Sequence, residues 1–389
     1  MTLIATSINQ GHPFLTADIL ITEDNGKPDL QLPNRLEGIP REQFEQLSSQ
    51  PTSFLQKLYI MEPNVCVCLA GNILTLKAFL QDLRIFCRIK SNDGRIAIKV
   101  LDLKNFFEGY DDAVLKELSC GIMIVEGNAG DNVEIYEAHY GQWIHGDTVV
   151  FGQVFVSGSG AAQYVKHLQV HASKAADPDK TSEFRTREVT FTFLVKLLAK
   201  ERLTLDGINA SWGAFLEVCF FDGERFVKNE GLAFILSDAK VDIDGNFHEL
   251  VPTTFIYNEY HANILHLTTI EVSQLVIEES ADSIIFESDE CEHILFSVGE
   301  IDREIPAEAT NVSPGFFTNE IALSIMLELP NGAKMTMSIY TTGYDVAVEF
   351  SGKGTIKFTW PKVMHEIVAR TVKSLNPAFR ELDKDDECG

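Results

Sequence analysis

Two stretches, Thr2-Leu3-Ile4-Ala5-Thr6 and Phe14-Leu15-Thr16-Ala17-Asp18, decide the fold at the start of this chain. Both are rich in apolar and β-branched residues and have the length of a strand. The segment between them, Asn9-Gln10-Gly11-His12, carries residue types that favour a tight turn. The pattern therefore predicts a β hairpin in which Asp18 returns to lie beside Thr2.

Thr2 is a candidate nucleophile because of its position behind the initiator methionine. Its side chain is small, so we expect aminopeptidases to remove Met1 and free the threonine α-amine. A threonine hydroxyl is a weak nucleophile until a base takes its proton, and a free α-amine is such a base. The pKa of that amine is about 7.7 to 8.0, so part of it is neutral near pH 7. Thr2 would then supply both the nucleophile and the base.

A second group of residues keeps a regular spacing after Thr2. Asp18 stands sixteen residues after Thr2. Lys57 precedes the apolar run Val65-Cys66-Val67-Cys68-Leu69, and Gly71 follows that run fourteen residues after Lys57. Glycine lets another group approach the backbone closely because it has no side chain.

Two serines in glycine-containing segments come later. Ser159 lies in Ser157-Gly158-Ser159-Gly160, where a predicted strand turns into a helix. Ser211 lies in Asn209-Ala210-Ser211-Trp212-Gly213, directly before an apolar strand-like run.

The order and spacing of these residues resemble those of proteasome-type β subunits, which are N-terminal nucleophile (Ntn) hydrolases. The resemblance covers residues 2–223. It implies hydrolysis of an amide bond by a threonine nucleophile, with no cofactor and no metal. The site residues that the resemblance implies are Thr2, Asp18, Lys57, Gly71, Ser159 and Ser211.

The resemblance also implies a task for each residue. Asp18 would fix the site, and the positive charge of Lys57 would lower the pKa of the Thr2 hydroxyl. The backbone N–H of Gly71 would form the oxyanion hole, which needs a donor aimed at the developing charge. The two serines would complete the surroundings of the threonine amine.

The chain departs from the family pattern in two places. Asp18 and Lys57 are 39 residues apart, much further than in the family, which predicts an insertion at residues 25–52 with the Gly and Pro content of a loop. The family has an aspartate three residues before its second serine, where this chain has Ile208, and the nearest acid is Asp206.

The resemblance implies the architecture of residues 1–230. We expect a four-layer αββα sandwich, in which two antiparallel sheets are flanked by helices. The sequence pattern of residues 231–389 predicts a mainly β extension with a hairpin through Asn331-Gly332. It also predicts a helix near 361–375 and a disordered tail at 381–389.

The expected function is that of a threonine peptidase acting on peptides or unfolded proteins, assembled into a ring-type homo-oligomer. Two alternatives stay open. The first is an amidohydrolase of the same fold that acts on a small molecule. The second is a non-catalytic scaffold subunit, which retention of Met1 would favour.

Composition excludes some classes of function. The chain has 389 residues and a formal net charge of −25, which argues against binding to nucleic acid because a phosphate backbone requires clustered cations. No apolar run reaches the roughly twenty residues of a membrane span. The first residues lack a secretory signal pattern, so we expect a cytoplasmic protein with no membrane association.

Cysteine and histidine usage predicts no metal site. The seven cysteines are scattered, and Cys66 and Cys68 are expected to be a buried, reduced pair on one face of a strand. His167 and His171 are four residues apart but lack a further ligand at a suitable spacing.

Overall fold

The structure is a computed structural model of the chain. It describes residues 2–372, except residues 10, 24, 48, 93–97, 128–133, 149–150, 171–181, 243–246, 281, 306–314, 330–331, 333 and 351–354. Met1, His171, Asn331 and the tail 381–389, on which predictions were made, lie outside the described residues.

Strands and helices alternate through the first half of the chain, and strands dominate the second half. The strands are β1 (Leu3–Asn9), β2 (His12–Asp18), β3 (Leu20–Glu23), β4 (Gln50–Phe54), β5 (Leu58–Glu62), β6 (Val65–Gly71), β7 (Leu118–Glu126), β8 (Glu134–Tyr140), β9 (Ile144–Thr148), β10 (Gly152–Gly158), β11 (Leu216–Phe221), β12 (Phe226–Lys228), β13 (Leu232–Val241), β14 (Phe247–His261), β15 (Ile264–Val272), β16 (Val276–Glu279), β17 (Ser283–Ser288), β18 (Cys291–Val298), β19 (Phe316–Glu328), β20 (Lys334–Phe350) and β21 (Ile356–Pro361). The helices are α1 (Arg41–Phe44), α2 (Ile73–Asn92), α3 (Val100–Glu108), α4 (Asp112–Glu117), α5 (Ala161–Val170), α6 (Ser182–Thr204) and α7 (Asp206–Asn209). A further helix spans residues 362–372.

The predicted N-terminal hairpin is confirmed. Strands β1 and β2 pair antiparallel, with Ile4 opposite Ala17. Thr2 immediately precedes β1 and Asp18 ends β2, so the register places the two residues side by side. This hairpin forms the middle of a six-stranded antiparallel sheet in the order β12-β11-β2-β1-β10-β9.

A four-stranded antiparallel sheet, β5-β6-β7-β8, packs against the six-stranded sheet. Ile4 and Leu15 of the larger sheet meet Cys66, Cys68 and Met123 of the smaller one in a buried apolar cluster. The opposite face of the four-stranded sheet is covered by α2 and α3. The apolar helix residues in that layer include Leu76, Phe79, Leu80, Leu83, Leu103 and Phe107.

The insertion at residues 25–52 is packed against the rest of the chain. Its ends are joined because β3 and β4 pair, with Leu20 opposite Phe54. Leu32 is buried in the largest hydrophobic cluster. The carbonyl of Pro33 accepts a hydrogen bond of 2.7 Å from the Thr269 hydroxyl on β15. The insertion therefore connects the N-terminal sheets to the C-terminal half.

The C-terminal half builds a single curled sheet of nine strands, a half-barrel. Its strand order is β16-β17-β21-β20-β19-β13-β14-β15-β18. All pairings in it are antiparallel except that of β13 with β19. The predicted β-rich character of this half is confirmed.

Helix α6 lies between the six-stranded and the nine-stranded sheets. The Phe191 ring is 5.6 Å from that of Phe220 on β11 and 5.3 Å from that of Tyr340 on β20. Apolar residues surround much of this helix, as expected for a helix that is buried on more than one side. They include Phe191, Phe193, Leu194, Val195, Leu197 and Leu198.

The expected four-layer αββα sandwich is wrong. The chain is a mixed α/β protein with antiparallel sheets of six, four and two strands and a curled nine-stranded half-barrel. The physical reason lies in α6. A helix in an outer layer is apolar on one side only, whereas α6 is apolar on more than one side and packs against the nine-stranded sheet as well. The motifs constrain only the surroundings of Thr2 and carry no information about that sheet.

The proposed boundary at residue 230 stays a prediction. The six- and four-stranded sheets end with Lys228, and the nine-stranded sheet begins at Leu232. One hydrophobic cluster nevertheless contains residues from both sides, such as Leu3, Val218 and Phe234. Among the described residues, no helix is long and apolar enough to cross a membrane.

Candidate functional site

The buried carboxylate of Asp18 is the centre of the candidate site. Its Oδ1 accepts hydrogen bonds from the Thr2 hydroxyl at 2.7 Å, from the Leu3 N–H at 2.8 Å and from Lys57 Nζ at 2.7 Å. Its Oδ2 accepts the N–H of Gly213 at 3.1 Å. The Thr2 hydroxyl and Lys57 Nζ thus share one oxygen atom of Asp18, and the three residues predicted to lie together are in contact.

The side chain of Lys57 is almost completely buried. Its side chain is 4% exposed, and Nζ also donates to the carbonyl of Leu20 at 2.7 Å. Burial lowers the pKa of Lys57 below its ordinary value, while the charge of Asp18 and its hydrogen bond oppose that change. An ammonium poised in this way stabilises negative charge more strongly than one in water.

Gly71 ends β6 beside Thr2, and its conformation requires glycine. Its φ is 138°, and an added Cβ would lie 2.6 Å from the carbonyl oxygen of Glu117. Thr2, Ala70 and Gly71 line both of the cavities that flank the site. The predicted oxyanion donor therefore lines the same two cavities as Thr2.

The first cavity has a volume of about 320 Å³ and a mainly apolar wall. Thr2 and Lys57 are among the residues that line it. Its apolar lining consists of Ile21, Leu55, Tyr59, Leu69, Ala70, Ile73, Leu74 and Leu76. This cavity suits an apolar side chain.

The second cavity also has Thr2 in its wall and has a volume of about 830 Å³. Trp143 and Ile144 provide apolar surface there, while Gln142 and Ser157 provide polar groups. The two cavities share Thr2, Ala70 and Gly71 in their walls.

The two predicted serines also lie at the site. The Ser159 hydroxyl is 3.4 Å from the Thr2 carbonyl oxygen and 3.3 Å from the Ser211 carbonyl oxygen. Ser211 is buried and has a φ of 64°, so its backbone turns sharply before β11. Gly158 allows this approach, since an added Cβ would lie 1.9 Å from the Thr2 carbonyl oxygen.

Neither Ile208 nor Asp206 provides the missing acid of the family pattern. Ile208 is fully buried in the largest hydrophobic cluster. Asp206 is 40% exposed and pairs with Lys200 at 3.1 Å.

A buried carboxyl that the sequence analysis missed lies close by. Glu201 of α6 accepts the N–H of Ala214 at 3.1 Å, next to the Gly213 that binds Asp18. Burial, with a contribution from Asp18, raises the pKa of Glu201 to about 8. The sequence contains a signal for this burial. Glu201 continues the helical spacing of the apolar residues Leu194, Leu197 and Leu198, which places the acid on the apolar face of α6.

A second missed acid is Glu217 on β11, which is 1% exposed. Its Oε2 accepts the backbone N–H of Lys57 at 3.1 Å. An acid at this place in the run Leu216-Glu217-Val218-Cys219 faces the same side as the apolar Cys219, which is an unusual position for a charge.

The predicted pair Cys66 and Cys68 is buried, and both are free thiols. Both side chains belong to the cluster between the two N-terminal sheets. Within the described part of the chain, no three histidine, cysteine or carboxylate side chains come together as a metal site would require.

Comparison with known proteins adds no relative. No protein-family model matches the chain, and no curated protein matches it either. The functional interpretation therefore depends on the geometry of the site itself.

Proposed function

We propose that this protein is an N-terminal threonine hydrolase that cleaves peptide bonds, with Thr2 as the nucleophile after removal of Met1. The observation that carries the proposal is the shared oxygen of Asp18, which binds the Thr2 hydroxyl and Lys57 Nζ at 2.7 Å each. A hydroxyl, a buried cation and a glycine backbone meet where two cavities join. This combination supports acyl transfer.

The reaction has two stages. Thr2 Oγ1 attacks the amide carbonyl carbon, its proton passes to the α-amine of the same residue, and the Gly71 N–H stabilises the oxyanion. The carbon–nitrogen bond then breaks, the proton moves to the leaving nitrogen, and an ester forms on Thr2. Water attacks this ester, the acid product leaves, and a proton returns to Thr2 Oγ1.

The remaining residues hold this arrangement in place. The positive charge of Lys57 favours the threonine alkoxide, and Asp18 keeps that charge in position. The hydroxyl of Ser159 contacts the carbonyl of Thr2, which limits rotation of the residue that reacts. Preorganised groups of this kind lower the barrier because they need no rearrangement during the reaction.

An extended peptide fits the site better than a small amide does. The mainly apolar cavity of about 320 Å³ has Thr2 in its wall and can hold the side chain next to the cleaved carbonyl. The second cavity, about 830 Å³, can hold residues on the other side of the bond. We expect cleavage after apolar residues.

The experiment is digestion of a mixed library of unfolded peptides by the purified protein, with the products identified by mass spectrometry. The control is Thr2→Ala, which keeps the fold but lacks the hydroxyl. Cleavage after apolar residues that disappears in Thr2→Ala supports the proposal. Wild-type protein with Met1 removed and no cleavage of any library peptide contradicts a peptidase and leaves the small-molecule alternative.

Two further predictions are separate from this chemistry. Assembly into a ring-type homo-oligomer stays a prediction, and the native mass of the purified protein tests it. A cytoplasmic location also stays a prediction.

A further inference from the structure

A buried polar network connects Lys57 to the nine-stranded sheet. Glu217 Oε2 accepts the Lys57 backbone N–H at 3.1 Å. Glu217 Oε1 accepts hydrogen bonds from Lys228 Nζ at 3.0 Å and from the Tyr260 hydroxyl at 2.9 Å. Tyr260 belongs to β14 of the C-terminal half.

Gln56, the residue before Lys57, makes a second connection to the same sheet. Its backbone N–H donates to the Gly299 carbonyl at 3.0 Å. Its side-chain amide donates to the Asn263 carbonyl at 2.7 Å and also to that of Val298. Lys228 Nζ donates to the side-chain oxygen of Gln56.

The position of Glu217 explains why this network matters to the site. Glu217 pairs with Ala17 across β11 and β2, so it lies one residue from Asp18. Its negative charge faces Lys57, whose other charged neighbour is Asp18. A buried carboxylate stays in one orientation when all its hydrogen-bond partners are present. When one partner is removed, the carboxylate changes its orientation or becomes protonated.

We infer that the C-terminal half is an intramolecular positioning element for the catalytic lysine, acting through Tyr260 and Glu217 on the backbone of Lys57. The nine-stranded sheet would thus hold the backbone of Lys57 in place, a role that no sequence motif indicates. Its consequence for reactivity rests on the proposed function. The anchoring of the Lys57 backbone is measurable without that function.

The experiment compares Tyr260→Phe with Tyr257→Phe, which makes the same chemical change on the same strand. Tyr257 stacks on Phe316 with ring centroids 4.4 Å apart and is not part of the network described above. The first readout is amide hydrogen exchange in peptides that contain Lys57. We expect about fivefold faster exchange in Tyr260→Phe, the effect of one lost hydrogen bond, and wild-type exchange in Tyr257→Phe.

The second readout is the rate of adduct formation with a peptide epoxyketone that carries a leucine side chain, followed by intact mass. We expect the maximal rate to fall about fivefold in Tyr260→Phe with little change in inhibitor affinity. Glu217→Gln keeps an acceptor for the Lys57 N–H but removes the charge. In that variant the alkaline limb of the rate profile should move to lower pH, because Lys57 loses a neighbouring anion.

Unchanged exchange at Lys57 in Tyr260→Phe would overturn the inference, as would an equal change in Tyr257→Phe. Faster exchange with an unchanged adduct rate would also overturn it. If wild-type protein forms no adduct, the proposed function fails, and the exchange measurement alone decides whether the sheet anchors Lys57.

Discussion

Thr2 and Thr6 stand four residues apart, and their hydroxyls have similar hydrogen-bonding partners. The two residues differ in their access to the cavities. The Thr2 hydroxyl meets a carboxylate that also binds a lysine. The Thr6 hydroxyl meets the carboxylate of Glu137 and lies 2.8 Å from Nε2 of His139. Each group therefore contains a hydroxyl, a carboxylate and a basic residue type, which are residue types found in nucleophilic sites.

Access and chain position separate the two. Thr2 is 5% exposed and lines both cavities of the candidate site, whereas Thr6 is fully buried and lines neither. The His139 ring is wedged 4.6 Å from Trp143 and 4.2 Å from Phe155. In the proposed mechanism, removal of Met1 gives Thr2 a free α-amine, and Thr6 has no such role. The comparison teaches that reactive residue types become a site only where a substrate can reach them.

The largest effect is expected from removing the two hydroxyls in turn. Thr2→Ala should lower peptide cleavage by about 10⁶-fold, the order found when a catalytic nucleophile is removed. Thr6→Ala should stay within about threefold, because that hydroxyl has a structural role only. Rates are measured at a temperature where both variants are folded. An equal loss in folded Thr6→Ala would break the comparison.

The second prediction compares Lys57 with His139, the basic residue types next to the two threonine–carboxylate pairs. Lys57→Met should lower the cleavage rate by about 10²- to 10³-fold because it removes preorganised charge. It should also lower the free energy of unfolding by about 3–5 kcal/mol, since Asp18 is left buried without its cation. His139→Gln is the matched control and should keep the rate. A rate in Lys57→Met within about threefold of wild type would contradict the catalytic assignment.

The third prediction concerns Glu201, the buried acid that accepts the N–H of Ala214. The folded-state pKa of Glu201 is raised to about 8, so its stabilising contribution is complete below its ordinary pKa of 4.5 and is lost as pH rises through 8. Stability should fall by about 1.4 kcal/mol per pH unit in this window. Glu201→Gln should remove that slope in urea unfolding, and Glu137→Gln should keep it. A slope that persists in Glu201→Gln would show that another group causes it.

The smallest effect is expected at Asp206, the acid nearest to the place where the family has an aspartate. It pairs with Lys200 at the surface, and exposed pairs contribute about 0–1 kcal/mol. Asp206→Asn should therefore change the unfolding free energy by less than about 1 kcal/mol and leave cleavage within about twofold. A large loss of activity would mean that Asp206 takes part in the site after all.

The sequence predicted that Asp18 lies beside Thr2 because the local register of one hairpin determines this contact. The β1–β2 hairpin alone brings Asp18 to Thr2. The insertion did not disturb the position of Lys57, since the pairing of β3 with β4 closes it at its base. Glycine at position 71 and the two serines follow in the order that the family resemblance implied.

The sheet architecture could not be predicted in the same way. The parallel pairing of β13 with β19 joins segments separated by more than seventy residues, with Leu232 opposite Glu320. Such pairings depend on tertiary packing rather than on local pattern. The resemblance described only the neighbourhood of Thr2, so it gave no reason to expect α6 between two sheets or Tyr260 beside Glu217.

The most direct test of the account is the intact mass of the purified protein before and after treatment with a threonine-directed peptide epoxyketone. The account predicts loss of Met1, a single adduct on wild-type protein and on Thr6→Ala, and no adduct on Thr2→Ala. Protein that lacks Met1, is folded and forms no adduct would contradict the claim that Thr2 is the nucleophile. Retained Met1 with no adduct would favour the non-catalytic scaffold.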